Sequence, residues 1–133
     1  MRRALAFAVV LAGLLTTAPA ALAHPLGNFS INHLTTVSVS AHRVDAHYVL
    51  DQAEIPTVEE RALAPAQVLA RKRAEVASRL ELRVDGRTVP LVVAHGGRIS
   101  HPPGQGGLPL TRVELWLHAG VPSPKRVALH DGT

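Results

Sequence analysis

From Phe29 onward the chain alternates. Phe29, Ile31, His33, Thr35, Val37 and Val39 share one face, and Ser30, Asn32, Leu34, Thr36, Ser38 and Ser40 share the other. A period of two rich in Thr, Ser and Val predicts a half-buried strand. After a turn at Ala41-His42-Arg43 the alternation resumes, with Val44, Ala46, Tyr48 and Leu50 on one side and Asp45, His47 and Asp51 on the other. The two runs are expected to form a hairpin.

The period then changes. Thr57 with Glu60 three residues on matches a capping box and predicts a helix start. Pro65 interrupts the pattern and suits a first helical position. From Ala66 to Leu80 the spacing is helical, with Leu69, Val76 and Leu80 joined by Ala66, Ala70 and Ala77 as the expected buried stripe. Arg71, Lys72, Glu75 and Arg79 form the expected wet face, with Arg71, Glu75 and Arg79 at i, i+4 spacing.

The strongest local signal follows. Leu80–Val84 and Arg87–Val93 flank Asp85-Gly86, a two-residue turn that predicts a type I′ hairpin. Pairing Val84 with Arg87 sets Leu82 opposite Val89 and Leu80 opposite Leu91, so the apolar side chains share a face. Pro90 lacks a donor and marks an edge strand. Gly96 to Pro109 reads as a long loop, Leu110 to His118 as a strand with Val113, Leu115 and Leu117 inward, and Arg126 to His130 as a short last strand. About six strands with one helix or helix pair predict a mainly β chain, an antiparallel, immunoglobulin-like β-sandwich.

Composition changes the picture at the N-terminus. Residues 1–23 hold Arg2-Arg3, an apolar run from Ala4 to Leu15, and a small-residue stretch ending Ala21-Leu22-Ala23. This is the layout of a cleaved secretory signal peptide. The remaining residues, 24–133, are enough for one small exported domain, extracellular or at the cell surface. The leader carries two arginines and no acid, so the net charge falls from +4 to +2 without it. That excess is too small for a patch-driven nucleic-acid binder. No later run is long and apolar enough to span a bilayer. The absence of cysteine excludes disulfides, thiolate metal sites and cysteine nucleophiles.

Candidate chemistry rests on histidine. No nucleophile elbow, phosphate loop or HExxH motif is present, so the expectation is a non-enzymatic chain. Asp45, Asp51 and Glu54 are carboxylates close in sequence, which any two surface strands provide. Cleavage after Ala23 would make His24 the mature N-terminus, offering an imidazole and an α-amino group whose pKa is only about 8. With a third nitrogen from His33 or His47, such a set suits Cu(II) or Ni(II). His33 lies on the apolar face of its strand, where a lone histidine is more often a hydrogen-bonded core residue than a ligand.

Four stretches in order along the chain resemble one family. His24-Pro-Leu-Gly-Asn-Phe-Ser-Ile-Asn-His33, Tyr48-Val-Leu-Asp-Gln-Ala-Glu-Ile-Pro-Thr57, Pro102-Pro-Gly-Gln-Gly-Gly-Leu-Pro109 with Arg112-Val-Glu-Leu115, and Val127-Ala-Leu-His-Asp-Gly132 resemble the extracytoplasmic N-terminal domain of actinobacterial high-affinity nickel/cobalt transporter proteins. The resemblance implies a non-enzymatic accessory domain that contacts Ni(II) or Co(II), or a polytopic membrane region encoded downstream or separately. The transport residues of that region lie outside this chain, which is expected to be a fragment or a stand-alone version of the domain. Where many relatives carry an acidic segment before the helix, this chain has Arg61-Ala-Leu-Ala-Pro65, so the resemblance does not carry a cation site over to that segment. Two other readings of the residues are a soluble copper- or nickel-binding protein using His24 and an interaction module without a ligand.

Overall fold

The structure is a computed structural model and describes residues 28–133. Among the described residues seven strands form two antiparallel sheets. β1 (Ile31–Val39) and β2 (Arg43–Gln52) form the first hairpin, followed by α1 (Glu54–Glu59) and α2 (Pro65–Arg79). β3 (Leu80–Val84), β4 (Arg87–Val89), β5 (Val92–Ser100), β6 (Thr111–Gly120) and β7 (Val127–Asp131) complete the chain. The larger sheet runs β1-β2-β6-β5 and the smaller β4-β3-β7. The expected mainly β, sandwich-like class holds.

The core lies against the inner face of the larger sheet. Ala46, Tyr48 and Leu50 of β2 and Val113, Leu115 and Leu117 of β6 pack against Val76 and Leu80. A second cluster joins Val44 and Ala119 to Leu82 and Val84 of the smaller sheet. The second layer is therefore half helix and half sheet.

The seventh strand comes from a split in the predicted second hairpin. Val84 pairs with Arg87 and Leu82 with Val89, as the Asp-Gly turn requires. Both turn residues take positive φ, 50° at Asp85 and 83° at Gly86, the type I′ geometry. The ladder stops at Val89, and Leu80 opposite Leu91 does not form. Pro90 cannot donate to a ladder, so the chain leaves here and Val92 starts a strand of the other sheet. Pro90 thus ends an edge strand and frees the next residues to change layers.

Other expectations are corrected. The loop from Gly96 begins later, because β5 continues to Ser100 through a bulge between Ala94 and Arg98. His95 and Gly97, at φ 63° and 80°, absorb the extra residues. Thr57 does not cap a helix. The chain turns immediately after β2, α1 begins at Glu54, and Pro56 fits within its first turn. The Thr57 hydroxyl instead donates to the Gln52 carbonyl at 3.2 Å.

In α2 the buried line is Val68, Lys72 and Val76. Leu69 is partly covered, whereas Ala66, Ala70 and Ala77 are exposed. Lys72 was expected on the wet face. Its stem lies in the packed layer while its ammonium reaches Glu60 at 3.4 Å and Glu75 at 4.0 Å. Pro65 does sit in the first turn, and the Gln67 side chain accepts the Ala64 N–H at 2.9 Å. β1 departs most from half-burial: eight of its nine residues are exposed. Among the described residues it is an edge strand, beyond the reach of the second layer.

Candidate functional site

The hairpin register separates the expected metal ligands. Thr36 pairs with His47, and Thr35 with Tyr48. Partners share a face, so even-numbered β1 residues lie outward with His47, while His33 lies inward with Tyr48. His33 and His47 therefore sit on opposite faces and cannot serve one ion. His24 lies outside the described residues. Among the described residues, no group of three or more His, Asp or Glu side chains is arranged to hold a metal ion.

Each histidine has its own partners. The Tyr48 hydroxyl lies 2.5 Å from His33 Nδ1, and the Thr133 hydroxyl lies 2.6 Å from the same nitrogen. The rings meet edge to face at 5.8 Å. His33 is thus hydrogen-bonded, but on the exposed edge strand and not within the core. Burial pushes the Tyr48 phenol above its ordinary pKa, the Thr133 hydrogen bond pulls it back, and Asp131 and Glu75 raise it further. On the outer face His47 stacks on Trp116 at 5.0 Å, 7° from parallel. Arg98 approaches the same indole at 6.0 Å and donates to Glu114 at 2.7 Å. The faces of the indole are thus occupied by its own neighbours.

The polar groups that converge do so at the end of the larger sheet. A cavity of about 460 Å³ opens there between the start of β1, the end of β2 and the loop after β5. Asn28 Oδ1 accepts the Ser30 N–H at 2.9 Å, a side-chain-to-backbone turn that fixes the entry into β1. The Ser30 carbonyl accepts from Ala53 at 2.9 Å and that of Asn28 from Ile55 at 3.3 Å, which ties the entry to α1.

The opposite wall is the loop between Pro102 and Leu110. Leu110 donates to the Pro102 carbonyl at 2.9 Å and Gly104 to that of Leu108 at 2.8 Å, so the loop closes on itself. Glu54 is 4% exposed, and its carboxylate accepts the Gln105 N–H at 2.8 Å. A glycine is required beside it: a Cβ on Gly104 would stand 2.6 Å from Glu54 Oε1 and 2.9 Å from the Leu108 carbonyl oxygen. The hydrogen bond from Gln105, helped by backbone N–H groups of Glu54 and Asn28, holds the Glu54 carboxyl below its usual pKa.

Across the floor, Arg112 donates to both oxygens of Asp51, at 2.6 Å and 2.7 Å. These residues are direct cross-strand partners, and the fork holds the Asp51 carboxyl low while raising Arg112. Beneath them Gln52 is 1% exposed, and neither atom of its amide has a hydrogen-bond partner.

This wall chemistry is amide, hydroxyl and a matched ion pair. Both carboxylates are committed to donors, so neither is a free general base. The pocket suits a polar ligand of low net charge that exchanges hydrogen bonds with amides. In the sequence Asp51 and Glu54 read as incidental carboxylates, and Gln52, Gln105 and Arg112 carry no motif of their own. The available signal was that all five fall inside the quoted stretches. A second cavity of about 540 Å³ uses the other side of the same loop; it is walled mainly by apolar groups such as Val58, Leu63, Val68 and Pro109. The chain matches no family model, no curated protein and no solved structure.

Proposed function

We propose that this chain is an exported, non-enzymatic binding domain that serves as the extracytoplasmic part of a nickel/cobalt transport system. One observation carries the reading. Asn28, Ser30 and Asn32 come from the first stretch that resembles the transporter family, Asp51, Gln52 and Glu54 from the second, and Pro102, Gly104, Gln105 and Arg112 from the third. All of them line the same polar pocket. Segments this far apart in sequence have a reason to share a resemblance when they build one surface.

The chemistry of the pocket supports a binding role. It offers donors and acceptors in fixed positions, with its charged groups already compensated, which favours a polar peptide loop over a bare cation. Such a loop would come from the transporter's membrane region. Metal contact, in this reading, belongs to the α-amino group and imidazole of His24. At most one of His33 and His47 would join them, because those two face apart.

Cross-linking in the native cells, with the partner identified by mass spectrometry, tests the proposal. A nickel/cobalt transporter recovered with the wild-type chain and lost with Arg112→Ala is the expected result. Recovery unaffected by Arg112→Ala would refute the role of the pocket. Calorimetric titration with Ni(II), Co(II) and Cu(II), on wild type and His24→Ala, tests the metal component separately.

A further inference from the structure

We infer that β1 is a self-pairing edge and that two copies of this chain join through it into one continuous eight-stranded sheet. The first observation is a contrast between edges. Natural sheets protect free edges with short strands, charges, prolines or bulges. β4 has three residues and ends at Pro90; β7 has five and is preceded by Lys125-Arg126; β5 is broken by the bulge at His95–Gly97. β1 is nine residues of regular strand, Ile-Asn-His-Leu-Thr-Thr-Val-Ser-Val, with no Asp, Glu, Lys, Arg, Pro or Gly. Among the described residues nothing covers its apolar side chains: Ile31 is 45% exposed, Leu34 62% and Val39 52%, with Phe29 at 71% just before it.

The second observation is hydrogen-bond parity. The Ser30 carbonyl accepts from Ala53 and the Ser40 N–H donates to Arg43, both in register with the β1–β2 ladder. In an antiparallel pair, alternate residues bond to one neighbour and the intervening ones point away. The N–H and C=O groups of Ile31, His33, Thr35, Val37 and Val39 therefore face the free side.

A second β1 related by a two-fold axis through Thr35 meets these groups in phase. Odd residues face odd residues, so each outward donor finds an outward acceptor. In this register Ile31 lies opposite Val39 of the other copy, His33 opposite Val37, and Thr35 opposite Thr35. Ile31 meets Val39 and Thr35 meets Thr35, both favourable cross-strand pairs, and His33 lies against the methyl groups of Val37. No like charges oppose each other, which is why a second copy fits this edge. The contact is about 30 Å long. It covers on the order of 500 Å² on each copy, about 1,000 Å² in all, the lower bound for a specific interface and the range of reversible ones.

The test uses the protein expressed from its full coding sequence, with the processed N-terminus read by intact mass. Sedimentation velocity over a concentration series is expected to show a reversible monomer–dimer equilibrium. Val37→Lys adds a charge on the edge and should weaken the dimer by roughly 10-fold or more while leaving the circular dichroism unchanged. Register is read independently with single cysteines, since the chain has none. Thr35→Cys lies on the two-fold axis and should be linked in high yield by oxidation or a short bismaleimide. Ser38→Cys, about 20 Å from its copy, should not. A monomer at every concentration overturns the inference, as does a dimer in which Ser38→Cys links as readily as Thr35→Cys. A monomer whose β1 amides still exchange slowly would assign the edge to another segment of the same chain, and overturns it too.

Discussion

Gly104→Ala isolates the packing that builds the polar pocket. The backbone there is at φ −104°, accessible to any residue, so alanine introduces no conformational strain. Its methyl group would meet Glu54 Oε1 at 2.6 Å, Leu110 Cδ2 at 2.8 Å and the Leu108 carbonyl oxygen at 2.9 Å. Leucine can rotate aside. Glu54 is almost fully buried and tied to the Gln105 N–H, and the Leu108 oxygen holds the Gly104 N–H itself. Relief by either route breaks a hydrogen bond. Overpacking of this kind costs about 1–3 kcal/mol, and for a domain of this size each kcal/mol lowers Tm by roughly 4–8 °C. A fall of about 10 °C is the central expectation. Thermal unfolding followed by circular dichroism measures it. Gly107→Ala is the control, because Gly107 has φ +77° but open space around it. Its cost is left-handed backbone strain alone, about 1–2 kcal/mol. A Gly104→Ala protein within about 1 °C of wild type would refute the close approach of the loop to Glu54.

Three further predictions concern titration and the single tryptophan. The Asp51 carboxyl is held low by Arg112, so its stabilisation is present above the unfolded-state pKa and is lost as pH falls through the folded value. Arg112→Met should return the Asp51 carboxyl toward an ordinary pKa by NMR titration, with little loss of stability because the pair is well exposed. Burial raises the Tyr48 pKa, so above about pH 10 the unfolded chain gains from ionisation that the folded chain resists, and stability falls. Tyr48→Phe should flatten that alkaline decline in urea unfolding. His47→Ala uncovers one face of Trp116, the sole indole, and should shift its fluorescence to longer wavelength; an unchanged spectrum would contradict the stacking.

The legible part of the site was local. Cross-strand alternation placed His33 on the inner face and His47 on the outer face, yet which neighbours each would find depended on strands far along the chain. His33 meets Thr133, a hundred residues later. His47 meets Trp116 because β6 pairs with β2. Glu54 acquired its role from a backbone N–H on the loop fifty-one residues away. Neither periodicity nor turn chemistry carries those distances.

The sequence by itself determined the elements whose signals are short-ranged. The Asp85-Gly86 turn set its own register, since two adjacent positive-φ residues leave a hairpin one geometry. Pro65 opened α2, and alternation in β2 and β6 put Val44, Ala46, Tyr48, Leu50, Val113, Leu115 and Leu117 in the core. Tertiary structure decided what amphipathic pattern leaves open. It rolled α2 so that Lys72, with Glu60 and Glu75 to receive its charge, became buried in place of the Ala66, Ala70 and Ala77 stripe that helical spacing favours. It also sent the chain to a new sheet at Pro90, because a residue without an N–H is where a ladder costs least to leave. It left β1 uncovered, because a second layer half helix and half short sheet reaches only as far as β2. An alternating pattern says which side chains prefer burial; only the extent of the opposing layer says which obtain it.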